Sequence, residues 1–282
     1  MNQPHLSKII RELERDLGCP IFDRTSRGMI PTVRGEEFLR YAKGIMEQEA
    51  QLDKLCSRNK ECPREIRLCG PRASYISSTL KNFLKEDDRL FTTNVRYKET
   101  NSKDVVRLVS SKEFDLGIVR CQVLYEPFFL KMIQDEHLDS KVLWQFSPKV
   151  LMSPSHPLAG KEPLDHLDFS QSVELLQGDI QYPSFTPENT DCVLPDSDPR
   201  HTIYIYDRGS QYEFLRHLPG AYMWTSPVPY STLTEAKLIQ RECTRPDNVF
   251  KDLLVCRSNY RLSKAETELT QWLGRTISQL SD

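Results

Sequence analysis

Side chains capable of covalent or metal chemistry are present in this sequence, but not in the spacing that such chemistry needs. The eight cysteines (Cys19, Cys56, Cys62, Cys69, Cys121, Cys192, Cys243 and Cys256) form no Cys-x-x-Cys pair, so neither a zinc site nor a dithiol motif is indicated. The six histidines (His5, His137, His156, His166, His201 and His217) lack ligand-like spacing. There is no Gly-x-Ser-x-Gly elbow, no Gly-x-Gly-x-x-Gly loop and no phosphate-binding Gly-Lys-Ser/Thr loop. Enzymatic turnover, a metal and a bound cofactor are therefore not expected. What remains is reversible binding by arginines, hydroxyls and turns.

The elements that must position those groups fall into three stretches. A chain of 282 residues with 38% hydrophobic content can build more than one core. Formal net charge is only -2. Residues 1–60 hold 11 basic against 9 acidic side chains, and the remainder holds 27 against 31. A mildly basic head on an acidic body is compatible with phosphate contact. The polar start lacks a signal-peptide core, and no apolar run approaches the ~18 residues of a membrane span. A soluble cytoplasmic protein with reduced thiols is expected.

In the first stretch, Leu6, Ile9, Ile10, Leu13 and Leu17 recur at helical spacing, and Gly18 is suited to end the helix. Gln3, Pro4, Ser7, Lys8 and Arg11 lie near its start or on its polar side. Arg11 and Arg15 could equally pair with Glu14 or face solvent. Residues 20–32 read as two short extended pieces around Ser26-Arg27-Gly28, with Arg24, Arg27 and Arg34 adding positive charge. A helix followed by a basic hairpin has the form of a recognition helix and wing. In the second stretch, Thr32 can cap a helix with Glu36 and Glu37 in its first turns. Phe38, Ile45 and Leu52, interleaved with Tyr41, Gln48 and Leu55, give a seam for pairing two helices; packing on the helix's own domain is the plainer alternative. Residues 57–64 are polar, contain Pro63 and read as a hinge. In the third stretch, strands at 66–70, 93–97 and 114–119 alternate with helices at 74–85 and 102–111. That order calls for a parallel sheet covered on both faces, with ligands beyond the strand ends. Ser263 and Glu266 form a sequence capping box for a last helix.

Several runs resemble the LysR family of bacterial transcriptional regulators. Gln3-Pro4-His5-Leu6-Ser7-Lys8-Ile9-Ile10-Arg11-Glu12-Leu13-Glu14, then Leu17-Gly18-Cys19-Pro20-Ile21-Phe22-Asp23-Arg24, then Thr32-Val33-Arg34-Gly35, resemble that family's winged helix-turn-helix. Phe114-Asp115-Leu116-Gly117-Ile118-Val119-Arg120 resembles a sensor-domain strand. His156-Pro157-Leu158-Ala159-Gly160 with Pro163, Leu164 and Leu167 resembles the crossing into a second lobe. Leu218-Pro219-Gly220-Ala221-Tyr222-Met223-Trp224 resembles a strand entry, and Leu253-Leu254-Val255-Cys256-Arg257 with Leu262-Ser263 the return to the first lobe. The resemblance runs from Gln3 to about Gln279.

The resemblance implies an α/β fold. It would comprise a partial winged helix-turn-helix at 1–32, a linker or dimerisation helix at 33–57, a hinge at 58–64 and an effector-binding domain at 65–282. That domain would be two-lobed and similar to periplasmic binding proteins, with two α/β sheets: lobe I at about 65–148 and 251–282, lobe II at about 149–250. It implies DNA contact through Gln3, Pro4, Ser7, Lys8, Arg11, Arg24 and Arg27, and pairing through Phe38, Tyr41, Ile45, Leu52 and Leu55. Strand ends and resemblance together place an anionic small molecule near Pro71, Arg72, Ser74, Asn101, Ser102, Arg120, Gly209, Ser210, Thr225 and Ser226, where helix starts favour negative charge. The implied partners are double-stranded DNA, that effector, further copies in a dimer or tetramer, and RNA polymerase; no membrane is implied.

In the family two helices, roughly 20 residues, precede the recognition helix. Here the sequence reaches it directly from Met1, so either a misassigned start or a shortened, weaker DNA binder is implied. A sensor or dimerisation protein with weak or no DNA binding is the alternative reading. Peroxide-type sensing through Cys192 and Cys243 is a lesser one, because those cysteines are far apart in sequence.

Overall fold

A computed structural model describes residues 3–25, 28–56, 64–86, 93–179, 201–244 and 249–281. The chain divides into two compact units, Met1–Cys62 and Pro63–Asp282.

The first unit opens with α1 (Gln3–Leu17), which Gly18 ends at a φ of 68°. Strands β1 (Phe22–Thr25) and β2 (Gly28–Pro31) pair antiparallel, Phe22 opposite Pro31. Helix α2 (Val33–Cys56) follows. Glu14 ties α1 to the hairpin: its Oε1 accepts the Ile21 N–H at 2.8 Å and the Phe22 N–H at 3.0 Å. Arg15 instead lies 3.7 Å from Asp16 in an exposed pair. Thr32 does cap α2, its Oγ1 accepting the Gly35 N–H at 2.9 Å and donating to the Pro20 carbonyl at 2.9 Å. The apolar face of α1 is open on this chain, with Ile9 41%, Leu13 37% and Leu17 43% exposed.

The second unit holds two five-stranded sheets. The first contains β3 (Arg64–Gly70), β4 (Thr93–Glu99), β5 (Leu116–Gln122), β6 (Leu138–Phe146) and β12 (Phe250–Arg257), in the order β4-β3-β5-β12-β6. Central β5 is buried on both faces over Leu116–Val119, which is why that part is apolar without alternation; edge strand β4 alternates half-buried and exposed positions. Helices α3 (Ser74–Lys85) and α8 (Lys264–Ser281) share one core with Ile66, Leu68 and Ile118. Helices α4 (Ser102–Ser110) and α5 (Glu126–Asp135) share the other with Val119, Leu253 and Val255. The Ser263–Glu266 box is present, at 2.7 and 3.2 Å.

The three strands expected to be parallel, β4, β3 and β5, are parallel. Strand β12 is antiparallel to both β5 and β6. The chain leaves this lobe after β6 and comes back from the second lobe, so the returning strand arrives without the crossover that parallel pairing requires.

The second sheet has the order β11-β7-β10-β8-β9, from β7 (Lys149–Met152), β8 (Val173–Gln177), β9 (Thr202–Ile205), β10 (Ala221–Thr225) and β11 (Ile239–Arg241). Helices α6 (Arg208–His217) and α7 (Tyr230–Ala236) belong to this lobe, and Leu215 and Ala236 pack in one core with Leu151, Leu175 and Met223. Among the described residues, no helix is long and apolar enough to cross a membrane.

Candidate functional site

The two lobes of the second unit meet where β3 and β10 end. A small, partly open cavity of about 10 Å³, room for no more than one water, is lined there by Arg72, Ser74, Arg208, Gln211, Thr225 and Ser226, with Tyr212, Met223 and Val228 completing it. Arg72 comes from the β3–α3 connection and Ser74 opens α3; the connection packs deep enough that Ala73 is 1% exposed. The first turn of α3 has no side-chain cap, since Ala73 occupies the N-cap position. Its partial positive charge is therefore not offset by a capping oxygen.

Opposite, α6 presents Gln211, which is 2% exposed; its Nε2 has no hydrogen-bond partner among the described residues. A buried amide N–H without an acceptor is costly, and one aimed at a cavity suits a ligand that carries an acceptor. Ser74 Oγ and Tyr212 Oη lie 2.7 Å apart across the cleft. Gln240 Nε2 donates to Thr225 Oγ1 at 2.7 Å and to the Ser226 carbonyl at 3.0 Å, which fixes the β10 end.

Four of the ten expected effector residues line this cavity: Arg72, Ser74, Thr225 and Ser226. The other six do not, each for a visible reason. Pro71 is buried in the connection. Asn101 caps α4, accepting the Asp104 N–H at 2.9 Å and donating to its carboxylate at 2.9 Å, so that helix start is already served by an acid. Ser102 donates to the Arg120 carbonyl at 2.6 Å and accepts the Arg120 N–H at 3.1 Å. Gly209 lies in the exposed first turn of α6. The Ser210 N–H is donated to Asp207 at 2.8 Å. That N–H, and then the Ser210 hydroxyl, hold the Asp207 carboxyl below its usual range.

Arg120 is the largest correction. It lies within β5, which continues to Gln122, and its guanidinium turns onto Asp252 of β12 with Nε at 2.8 Å and Nη2 at 2.7 Å. Tyr75 Oη and Trp144 Nε1 also donate to Asp252, at 2.8 and 3.2 Å. The Arg120 guanidinium stands 4.8 Å from the centre of the Phe146 ring. Burial opposes the Arg120 charge, but Asp252 more than compensates and raises its pKa; burial, then Asp252, pushes the Tyr75 phenol well above its usual range. Arg120 is committed to the lobe's interior. Sequence reasoning passed over Arg208, Gln211 and Tyr212. They sit on the same helix as Gly209 and Ser210, in its first turns.

In the headpiece, Gln3, Pro4, Ser7, Lys8 and Arg11 all lie on α1, and the side chains of the first four lie outside the described residues. Arg11 is exposed, Arg24 lies in β1 and Arg27 lies outside the described residues. Along α2, Tyr41 is 61% and Ile45 66% exposed, and Phe38 is half-buried. Leu52 and Leu55 are on the same helix, and their side chains lie outside the described residues.

Residues 1–36 match the family profile described as a bacterial regulatory helix-turn-helix protein, lysR family, and residues 89–179 match the LysR substrate binding domain. These two segments are thus similar to the DNA-binding and substrate-binding modules of LysR-family bacterial regulators. Regulatory protein NocR of Agrobacterium tumefaciens (strain T37) is 25% identical over 172 residues, 60% of this chain and 53% of the relative. HTH-type transcriptional regulator AlsR of Bacillus subtilis (strain 168) is 26% identical over 164 residues, 57% of this chain and 51% of the relative. The matched stretch thus spans about half the length of these curated relatives. Among solved structures, a full-length OxyR variant from Pseudomonas aeruginosa superposes with a TM-score of 0.51 at 15% identity, covering 98% of this chain and 90% of that one. An OxyR cysteine mutant from Corynebacterium glutamicum gives 0.56 at 18% identity, covering 99% and 86%. At these identities the likeness is one of fold.

The thiols of the first lobe are chemically quiet. Cys69 and Cys121 are buried, and burial pushes each thiol up to about 12, so both stay protonated near neutral pH. Of the pair named for peroxide sensing, Cys243 is half-buried and Cys192 lies outside the described residues. Neither Cys69 nor Cys121 should react with N-ethylmaleimide in the native protein, and both should react in urea. Mass spectrometry showing either one modified natively would contradict this account.

Proposed function

We propose that the chain is a DNA-binding transcriptional regulator whose DNA affinity is controlled by a small anion bound between the lobes of its second unit. The observation that carries the anion is the cavity itself: two arginines, a helix start without a side-chain cap and a buried, unpaired amide N–H converge on it. The headpiece supplies the DNA-binding element, with Gln3, Pro4, Ser7, Lys8 and Arg11 toward the major groove and Arg24 and Arg27 toward the backbone. Two copies pair along α2 through the exposed Tyr41 and Ile45, with Phe38, Leu52 and Leu55 continuing the seam. A cavity of this size admits an effector only if the lobes part, so effector binding and lobe arrangement are linked. The effector shifts the equilibrium by no more than its differential affinity for the two arrangements.

The test is a thermal-stability screen against a panel of small carboxylates and phosphates. A true effector at about 100 times its Kd should stabilise the second unit by about 2.7 kcal/mol. Arg72→Ala and Arg208→Ala should each abolish that response while the unit stays folded. A panel in which only uncharged ligands stabilise the protein, with both variants responding normally, would contradict the anionic reading.

A further inference from the structure

The lobes are joined by a reciprocal exchange of arginines. Arg72 leaves lobe I and enters a socket in lobe II, its Nη1 donating to Asp179 Oδ1 at 2.6 Å and its Nη2 to the Tyr206 carbonyl at 2.8 Å. The socket consists of two adjacent strand ends, Gly178-Asp179 after β8 and Tyr206 after β9, held together by the Gly178 N–H donated to the Ile205 carbonyl at 3.0 Å. The approach is close: a Cβ on Gly178 would lie 2.4 Å from the Tyr206 ring. In the other direction, Arg208 leaves lobe II for lobe I. Its Nη2 stands 2.7 Å from Glu99 Oε1, and its Nη1 donates to Ser77 Oγ at 2.9 Å. Glu99 also accepts from Tyr97 Oη at 3.0 Å, which fixes the acid.

These pairs are sheltered, with the Arg72 side chain 9% and the Glu99 side chain 19% exposed. A further cross-lobe pair, Lys81–Glu235 at 3.5 Å, is open to solvent and contributes little. Arg72 and Arg208 are also the two cations lining the cavity. The carboxylates that neutralise them present the same chemistry as an anionic effector, and they are part of the chain.

We infer that Asp179 and Glu99 are built-in competitors: through Arg72 and Arg208 they latch the lobes shut, and an anion gains the cleft by displacing them. The inference deepens the effector reading and rests on it for the nature of the ligand; the latch itself stands on the cross-lobe contacts alone. Its consequence runs opposite to that of an ordinary structural ion pair. Removing a competitor opens the lobes and tightens anion binding, because less of the effector's interaction is spent breaking the latch.

The test uses the full chain, its Glu99→Gln and its Asp179→Asn forms, with hydrogen exchange and with calorimetric titration of inorganic sulfate as the probe. Each variant should speed exchange about tenfold at both faces of the cleft, residues 71–78 and 225–229, and leave β5 and α8 unchanged. The cross-lobe effect is the discriminating part. Glu99 is in lobe I, so faster exchange at 225–229 in Glu99→Gln reports release of the latch, whereas acceleration confined to the mutated lobe would overturn it, as would unchanged exchange. Sulfate should bind both variants about tenfold more tightly than the wild type. Lobes that open in both variants, with no sulfate heat in any of the three proteins, would overturn the anion reading and the competitor role while leaving the latch in place.

Discussion

Asp252→Ala should destabilise the second unit by about 3–5 kcal/mol, the cost of stripping a buried charge of its partner. The carboxylate is 0% exposed and accepts from Arg120 twice, from Tyr75 and from Trp144. Its removal leaves the guanidinium without its counter-charge and two buried donors without their acceptor. A domain holds only about 5–15 kcal/mol in total, so the variant should be marginal at ambient temperature. Urea unfolding followed by far-UV circular dichroism reads this directly. Arg120→Met combined with Asp252→Leu should recover most of the loss, because the penalty lies in the unpaired charge more than in the absent pair. A single-variant loss below about 1 kcal/mol would show that the network is solvated and that Arg120 is available to other partners.

Gly35→Ala should have the comparable effect in the headpiece. A Cβ there would stand 1.9 Å from the Ile21 carbonyl oxygen and 2.8 Å from its carbon. These are backbone atoms and cannot rotate away. Ile21 is 2% exposed, and its carbonyl accepts the Thr32 N–H at 2.9 Å. The start of α2 would have to move off the base of the hairpin and give up the Thr32 cap. Overpacking of this kind costs about 1–3 kcal/mol, and a unit this small has little to spare. Hydrogen exchange over residues 9–35 should rise toward that of an unfolded segment, and DNA affinity should fall at least about tenfold. A variant with native exchange and native affinity would contradict the observed packing of α2 on the hairpin.

These two residues also show what sequence can and cannot reveal. The Thr32-x-x-Gly35 spacing was readable as a helix start, and the structure adds why the fourth residue is glycine: the helix begins in contact with a carbonyl. The mainly apolar run 114–119 was readable as a strand, and its central place in the sheet came only with the structure. Arg120, at the end of that run, looked like a strand-end ligand, because its partner Asp252 lies 132 residues away with no local pattern to announce it. The same distance effect hid the latch. Arg72 was a candidate, but its acceptors, 107 and 134 residues further on, are set by how two strands end side by side. Gln211 escaped because a glutamine inside an amphipathic helix carries no signal until its burial is known. Local periodicity speaks for elements, and pairings across lobes depend on packing that the local pattern does not encode.

The central claim is that this chain reads DNA, and selection from a pool of random duplexes tests it most directly. Full-length protein should enrich a sequence carrying two half-sites in fixed spacing, as expected for paired recognition helices. Binding to that sequence should weaken steeply as salt is raised, through release of phosphate counterions. Failure to enrich any sequence over successive rounds, with equal affinity for every duplex in the pool, would contradict the account.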